Sequence, residues 1–126
     1  MKRLCMLVAR FILLFALMLG MGCNRQVAPP TPLPIEQLPL ALQKAFSKAK
    51  PDVKDLANEV AAALQAPDYG KAFNGLQNLL GKPGLTKEQV NVTTRGSLTV
   101  NTLLQSAQAS GDAKAAQTLK AYRINK

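Results

Sequence analysis

From Leu38 onward the apolar residues of this chain recur with the period of an α-helix, and prolines and glycines mark the interruptions. Leu38, Leu42, Ala45, Phe46 and Ala49 form a first stripe, with Pro39 in the first turn, where a missing N–H is tolerated. This helix is expected to end before Pro51. Asp52 opens a second, with Val53, Leu56, Ala57, Val60, Ala63 and Leu64 on one face, and Pro67 stops it. Asp68 is placed to cap a third, with Tyr69, Ala72, Phe73, Leu76, Leu79 and Leu80 inward, until Gly81-Lys82-Pro83-Gly84 breaks the pattern.

The next stretch allows two readings. Thr86 and Gln89 have the spacing of a capping box, which starts a fourth helix. Residues 90–100 are nevertheless rich in β-branched side chains, and Arg95-Gly96 can be read as a hairpin turn. The helix is favoured, because Val92, Gly96, Val100, Leu103, Leu104 and Ala107 make a continuous stripe and an isolated two-stranded hairpin is marginal. Gly111-Asp112 ends this helix and caps a last one through Ala115, Ala116, Leu119 and Tyr122. The expected fold is all-α: a small helical bundle of stacked αα-hairpins, about five helices, over residues 35–126.

An internal echo supports stacked hairpins. When Asn58 is laid on Asn101, Gln65, Ala66, Lys71, Ala72 and Leu76 fall on Gln108, Ala109, Lys114, Ala115 and Leu119. Residues 63–83 also resemble the second half of a tetratricopeptide repeat. The Asp-Tyr-x-x-Ala of that family appears as Asp68-Tyr69-Gly70-Lys71-Ala72, its second-helix apolar position as Leu76 and its helix-ending proline as Pro83. Leu56 stands where the family has an aromatic residue and Val60 where it has glycine. The resemblance implies a helical-hairpin scaffold that binds peptides or partner proteins on a concave face, with the first helix covering an open end.

The residues before Leu38 follow a different logic. Residues 1–10 carry Lys2, Arg3 and Arg10, and residues 11–21 are an uncharged apolar run shorter than the about 20 residues that cross a bilayer. A basic start, a short apolar middle and small residues at its end are the layout of a secretory signal peptide. The segment Leu19-Gly20-Met21-Gly22-Cys23 resembles the lipobox of bacterial lipoproteins, with Gly20 where that family usually has leucine. The resemblance implies cleavage before Cys23, acylation of its sulfur and new N-terminus, and a lipid anchor in the cell envelope facing the periplasm or exterior. Gly20 and Gly22 equally suit ordinary signal peptidase, so cleavage without lipid is the competing outcome. Cys5 leaves with the leader, so Cys23 is the one remaining thiol, and acylation accounts for it. The chain thus divides into a leader (1–22), a lipidated cysteine with a Pro-rich tether (23–34) and a helical domain (35–126). The four prolines of the tether favour an extended spacer, up to roughly 30 Å long at about 3.1 Å per residue.

Composition narrows the chemistry. The 126 residues include no His and no Trp, so the residue most used for acid–base catalysis and metal ligation is missing. Glu36, Asp52, Asp68, Glu88 and Asp112 fall at or just before proposed helix starts, where they accept orphan N–H groups and complement the helix dipole. Asp55 and Glu59 share a helical face with Asp52, an arrangement read as solvated because nothing adds the further oxygen ligands that a cation needs. Ser97, Ser106 and Ser110 have no neighbouring base. The expectation is a protein that is not an enzyme and has no catalytic residue, metal site or cofactor.

Charge supplies the last signal. Lys and Arg number 16 against 7 Asp and Glu, a net +9, and removal of the leader keeps the cations in excess. Lys44, Lys48, Lys50 and Lys54 lie close together and form the candidate binding surface for anionic partners. Lys120, Arg123 and Lys126 sit where cations stabilise a helix C-terminus. Nucleic acid is disfavoured, since Phe46, Tyr69, Phe73 and Tyr122 all fall on core stripes rather than on a stacking surface. Two functional expectations follow. One is a membrane-anchored, non-enzymatic interaction or scaffold module whose partner is another envelope protein. The other is a structural envelope component whose basic surface adsorbs to anionic membrane or wall polymers. Oligomeric state stays open.

Overall fold

A computed structural model describes residues 28–126. The leader and Cys23 lie outside the described residues. Within them the chain forms five helices and no strand: α1 (Leu38–Ala45), α2 (Pro51–Gln65), α3 (Tyr69–Leu80), α4 (Lys87–Ala109) and α5 (Ala113–Ile124). The all-α bundle expected from periodicity is the fold observed.

The helix ends show which local signals act. Asp68 caps α3 by accepting from the Lys71 N–H at 3.1 Å, and Asp112 caps α5 by accepting from Lys114 and Ala115 at 2.9 and 3.1 Å. The capping box of α4 is complete: Thr86 Oγ1 accepts from the Gln89 N–H at 3.2 Å, and Gln89 Oε1 accepts from the Thr86 N–H at 3.0 Å. Capping by the other acids is not seen. Neither α1 nor α2 has a side-chain cap hydrogen bond, and Glu88 lies inside the first turn of α4, which Thr86 already caps. Prolines in the first turns of α1 and α2 remove one of the donors that such a cap would satisfy.

One boundary differs from the sequence expectation. The first helix ends at Ala45 rather than running to Pro51. Lys50, preceding proline, is extended at ψ 149°, and the chain unwinds through residues 46–49 to reach that conformation. Phe46 still enters the core from this turn, at 1% exposure. At the other end, Gly111 takes φ +92° between α4 and α5, a left-handed conformation that costs glycine little, and the following Asp112 N–H closes onto the Ala107 carbonyl at 3.0 Å.

Residues 87–109 form one unbroken helix, which settles the ambiguity over residues 90–100. The β-branched threonines are accommodated because their hydroxyls fold back onto carbonyls one turn earlier. Thr93 donates to Gln89 at 2.7 Å, Thr99 to Arg95 at 3.2 Å and Thr102 to Leu98 at 3.0 Å. Thr93 is thereby fully buried without an unpaired polar atom.

The core is built on α3, which packs against α2, α4 and α5, while α1 packs against α2 and α4. Phe46, Phe73, Leu38, Leu42, Leu76, Leu79, Val60 and Val100 are its largest buried aliphatic and aromatic members. Helix α1 is therefore an integral wall, inserted between α2 and α4, and does more than cover an open end. Close approach is made possible by two glycines. A Cβ on Gly75 would lie 2.4 Å from Val60 Cγ2, and one on Gly96 would lie 2.7 Å from Leu38 Cδ1. Where the tetratricopeptide pattern has glycine, this chain has Val60, and the space is supplied from the facing helix by Gly75. Tyr122 of α5 meets Phe73 edge-to-face, with centroids 5.0 Å apart.

Gln89 joins two of these contacts. Besides its capping role, its Nε2 donates to the Ala45 carbonyl at 3.2 Å, satisfying the end of α1 from the start of α4. The side chain is 7% exposed. Gln89→Ala removes the reciprocal cap and leaves Ala45 O without this donor, so it is expected to lower stability by about 1–3 kcal/mol. Urea unfolding of the variant measures this, and an unchanged midpoint would show that the bond contributes nothing.

Candidate functional site

Upstream of α1 the chain is not a free spacer up to residue 34. The Arg95 Nε–H donates to the Thr31 carbonyl at 2.8 Å, and the Thr99 hydroxyl donates to the Leu33 carbonyl. Leu33 and Ile35 pack against the core. Both bonds use carbonyls of the strap as acceptors, the Arg95 guanidinium having only donors to offer. The folded body thus begins near Thr31, and the last third of the sequence-derived tether belongs to it. Nothing in the pattern of prolines signals this, because the contacts join residues far apart in sequence.

The lysines singled out by sequence are all exposed: Lys44 in the last turn of α1, Lys48 and Lys50 in the α1–α2 turn, and Lys54 in the first turns of α2. Folding adds two more that sequence proximity could not reveal. The Gln89 bond to Ala45 brings the start of α4, with Lys87, beside the end of α1. Lys82, after α3, reaches Asp52 Oδ2 at 3.7 Å, a partly exposed pair of the kind that adds little stability. Asp52 is thus engaged with a lysine rather than with the α2 N-terminus.

The flank of the bundle carries a different surface. An open groove of about 830 Å³ lies among α2, α3 and α5, lined in part by Glu59, Tyr69, Asn74, Asn78, Lys114 and Gln117. The N-termini of α3 and α5 border it, with the Lys71 N–H bound to Asp68 and the Lys114 and Ala115 N–H groups bound to Asp112. A shallower hollow of about 660 Å³ holds Asp52, Asp55 and Glu59 together with Gln77 and Lys82. Among the described residues no group of three Cys, Asp or Glu side chains converges as a metal site would require. Ser97 accepts from Gln77 Nε2 at 3.4 Å, and Ser110 donates to the Ser106 carbonyl, so these hydroxyls serve helix contacts.

No described helix is long and apolar enough to cross a membrane. No protein-family model, curated protein or solved structure matches this chain.

Proposed function

We propose that this protein is a lipid-anchored, non-enzymatic interaction module of the bacterial cell envelope, held to a membrane through Cys23 and facing the periplasm or exterior. The observation that carries this reading is the order of features along the chain: a basic start, a short apolar run, Gly22-Cys23, then prolines leading into a helical body. The absence of histidine from the sequence and the structural employment of Asp52, Asp68 and Asp112 support a role in binding rather than catalysis. The partner is another envelope protein, and the groove among α2, α3 and α5 is the surface available to it, since it mixes apolar lining with Asn, Gln and Lys side chains that can select a ligand.

The anchor is tested on the full chain expressed in a bacterium with lipoprotein-processing enzymes. Mass spectrometry of the mature N-terminus is expected to find a chain beginning at Cys23 with acyl groups attached, and the protein in the membrane pellet after a high-salt wash. A bare Cys23 on a protein released to the soluble fraction would overturn the reading.

A further inference from the structure

One end of the bundle gathers lysines from four helix ends, and the strap runs toward it. Helices α1 and α4 are antiparallel: Leu38 lies on Gly96 and Ala45 receives Gln89. The short connections then place the end of α1, the start of α2, the end of α3 and the start of α4 at one end of the molecule. There Lys44, Lys48, Lys50, Lys54, Lys82 and Lys87 outnumber Asp52, Asp55 and Glu88. Away from this corner the acids Glu36, Asp68 and Asp112 are interspersed with Lys71, Lys114 and the α5 cations Lys120, Arg123 and Lys126, the last lying over the Tyr122 ring. Traced backward, the strap passes from Leu33 at Thr99 to Thr31 at Arg95. It therefore descends α4 toward Lys87 and the lysine-rich end.

From this juxtaposition we infer that the lysine-rich end is a docking surface for the anionic phospholipid headgroups of the bilayer that carries the anchor. The inference rests on the proposed lipid at Cys23 and adds the orientation of the domain. The residues between Cys23 and Thr31 span at most about 30 Å even when fully extended. Bound to α4, the strap points back toward the lysines, so an anchored chain brings that end to the bilayer first. Lysines within a Debye length of an anionic leaflet are drawn to it, and several on one surface act together. The exposed lysines can reach headgroups without any change in the core, and the groove among α2, α3 and α5 runs along the flank of the bundle, where a partner can enter from the side.

The test uses the full acylated protein in vesicles of phosphatidylcholine alone or with about one third phosphatidylglycerol. Lysine reactivity toward an amine-acylating reagent is measured site by site. Lys44, Lys48, Lys54 and Lys87 are expected to react several-fold more slowly in the anionic vesicles, with Lys71 and Lys114 unchanged. The protection disappears at about 0.5 M salt, where screening leaves only a few ångströms of reach. Combined Lys44→Gln, Lys48→Gln and Lys87→Gln, all at exposed positions, are expected to abolish the protection of Lys54 and leave the melting curve in place. Equal rates in both vesicles, equal slowing at Lys71 and Lys114, or retention by anionic wall polymer with no response to phosphatidylglycerol would overturn the inference. The N-terminal mass is recorded on the same sample. Acylated Cys23 with uniform lysine rates refutes the docking surface alone, whereas a bare Cys23 refutes the anchor, and the same labelling with excess vesicles then still decides the lysine surface.

Discussion

Leu76→Asp is expected to abolish the cooperative unfolding transition of this protein at 25 °C. Leu76 is 0% exposed on α3, the helix that touches α2, α4 and α5, so no rotamer can carry a carboxylate to water without separating helices. Placing an ionised group there costs several kcal/mol in desolvation, and the lost apolar burial adds about 2 kcal/mol or more. A small domain holds only about 5–15 kcal/mol of net stability, and an alanine-rich one buries modest area per residue. Phe73→Asp, at 1% exposure and in contact with Tyr122, is expected to behave alike. Circular dichroism on heating, with Leu40→Asp as the comparison, provides the check. Leu40 is 71% exposed on the outer face of α1, so that variant should melt as the unmodified chain does. Coincident curves for Leu76→Asp and Leu40→Asp would mean that α3 is not the central helix.

Gly75→Ala is expected to lower the melting temperature, against the usual direction for such a change inside a helix. Alanine gains about 1 kcal/mol over glycine in helix propensity. Here the new methyl would sit 2.4 Å from Val60 Cγ2. Val60 is 2% exposed and β-branched, so its χ1 cannot turn aside, and α2 and α3 must move apart. Overpacking costs about 1–3 kcal/mol, and an approach this short against a side chain that cannot turn aside belongs to the upper part of that range, above the propensity gain. The net loss is expected to bring the midpoint down by roughly 5–10 °C in a domain of this size. Combining Gly75→Ala with Val60→Ala opens the space, so the pair should be more stable than the two separate losses predict. A higher midpoint for Gly75→Ala alone would contradict the close approach of α2 and α3. The corresponding Gly96→Ala change is milder, because the neighbouring atom is the end of the more flexible Leu38 side chain.

The sequence pattern and the structure agree most closely where a local cause is sufficient. Thr86 and Gln89 form the capping box that their spacing predicts, and Asp68 and Asp112 cap the helices that follow them, because each bond closes within three residues. The same reasoning overreaches at Asp52, Glu36 and Glu88, since an acid near a helix start can turn to a lysine, to water or to a position that another residue already caps. Helix α4 is read correctly in spite of its β-branched residues, because the apolar stripe through Val92, Val100 and Leu104 outweighs local β preference. Thr93 and Ser97 are missing from the expected interior, as a polar side chain on an inner stripe is recognisable only once its partner is known. Those partners are the Gln89 carbonyl for Thr93 and the Gln77 amide for Ser97.

By itself the sequence determined that this chain is helical, where most helices start and stop, and which residues face inward. These properties depend on dihedral preference, on capping and on a period of about 3.6 residues, all of which act over one or two turns. Only the tertiary structure decided that α1 is wedged between α2 and α4, that residues 31–33 are bound along α4, and that Lys82 and Lys87 join the lysines of the α1–α2 corner. Each of those results brings together residues distant along the chain. What selects them is the fit of Gly75 against Val60 and of Gly96 against Leu38, a matter of shape in the packed core that no local pattern encodes.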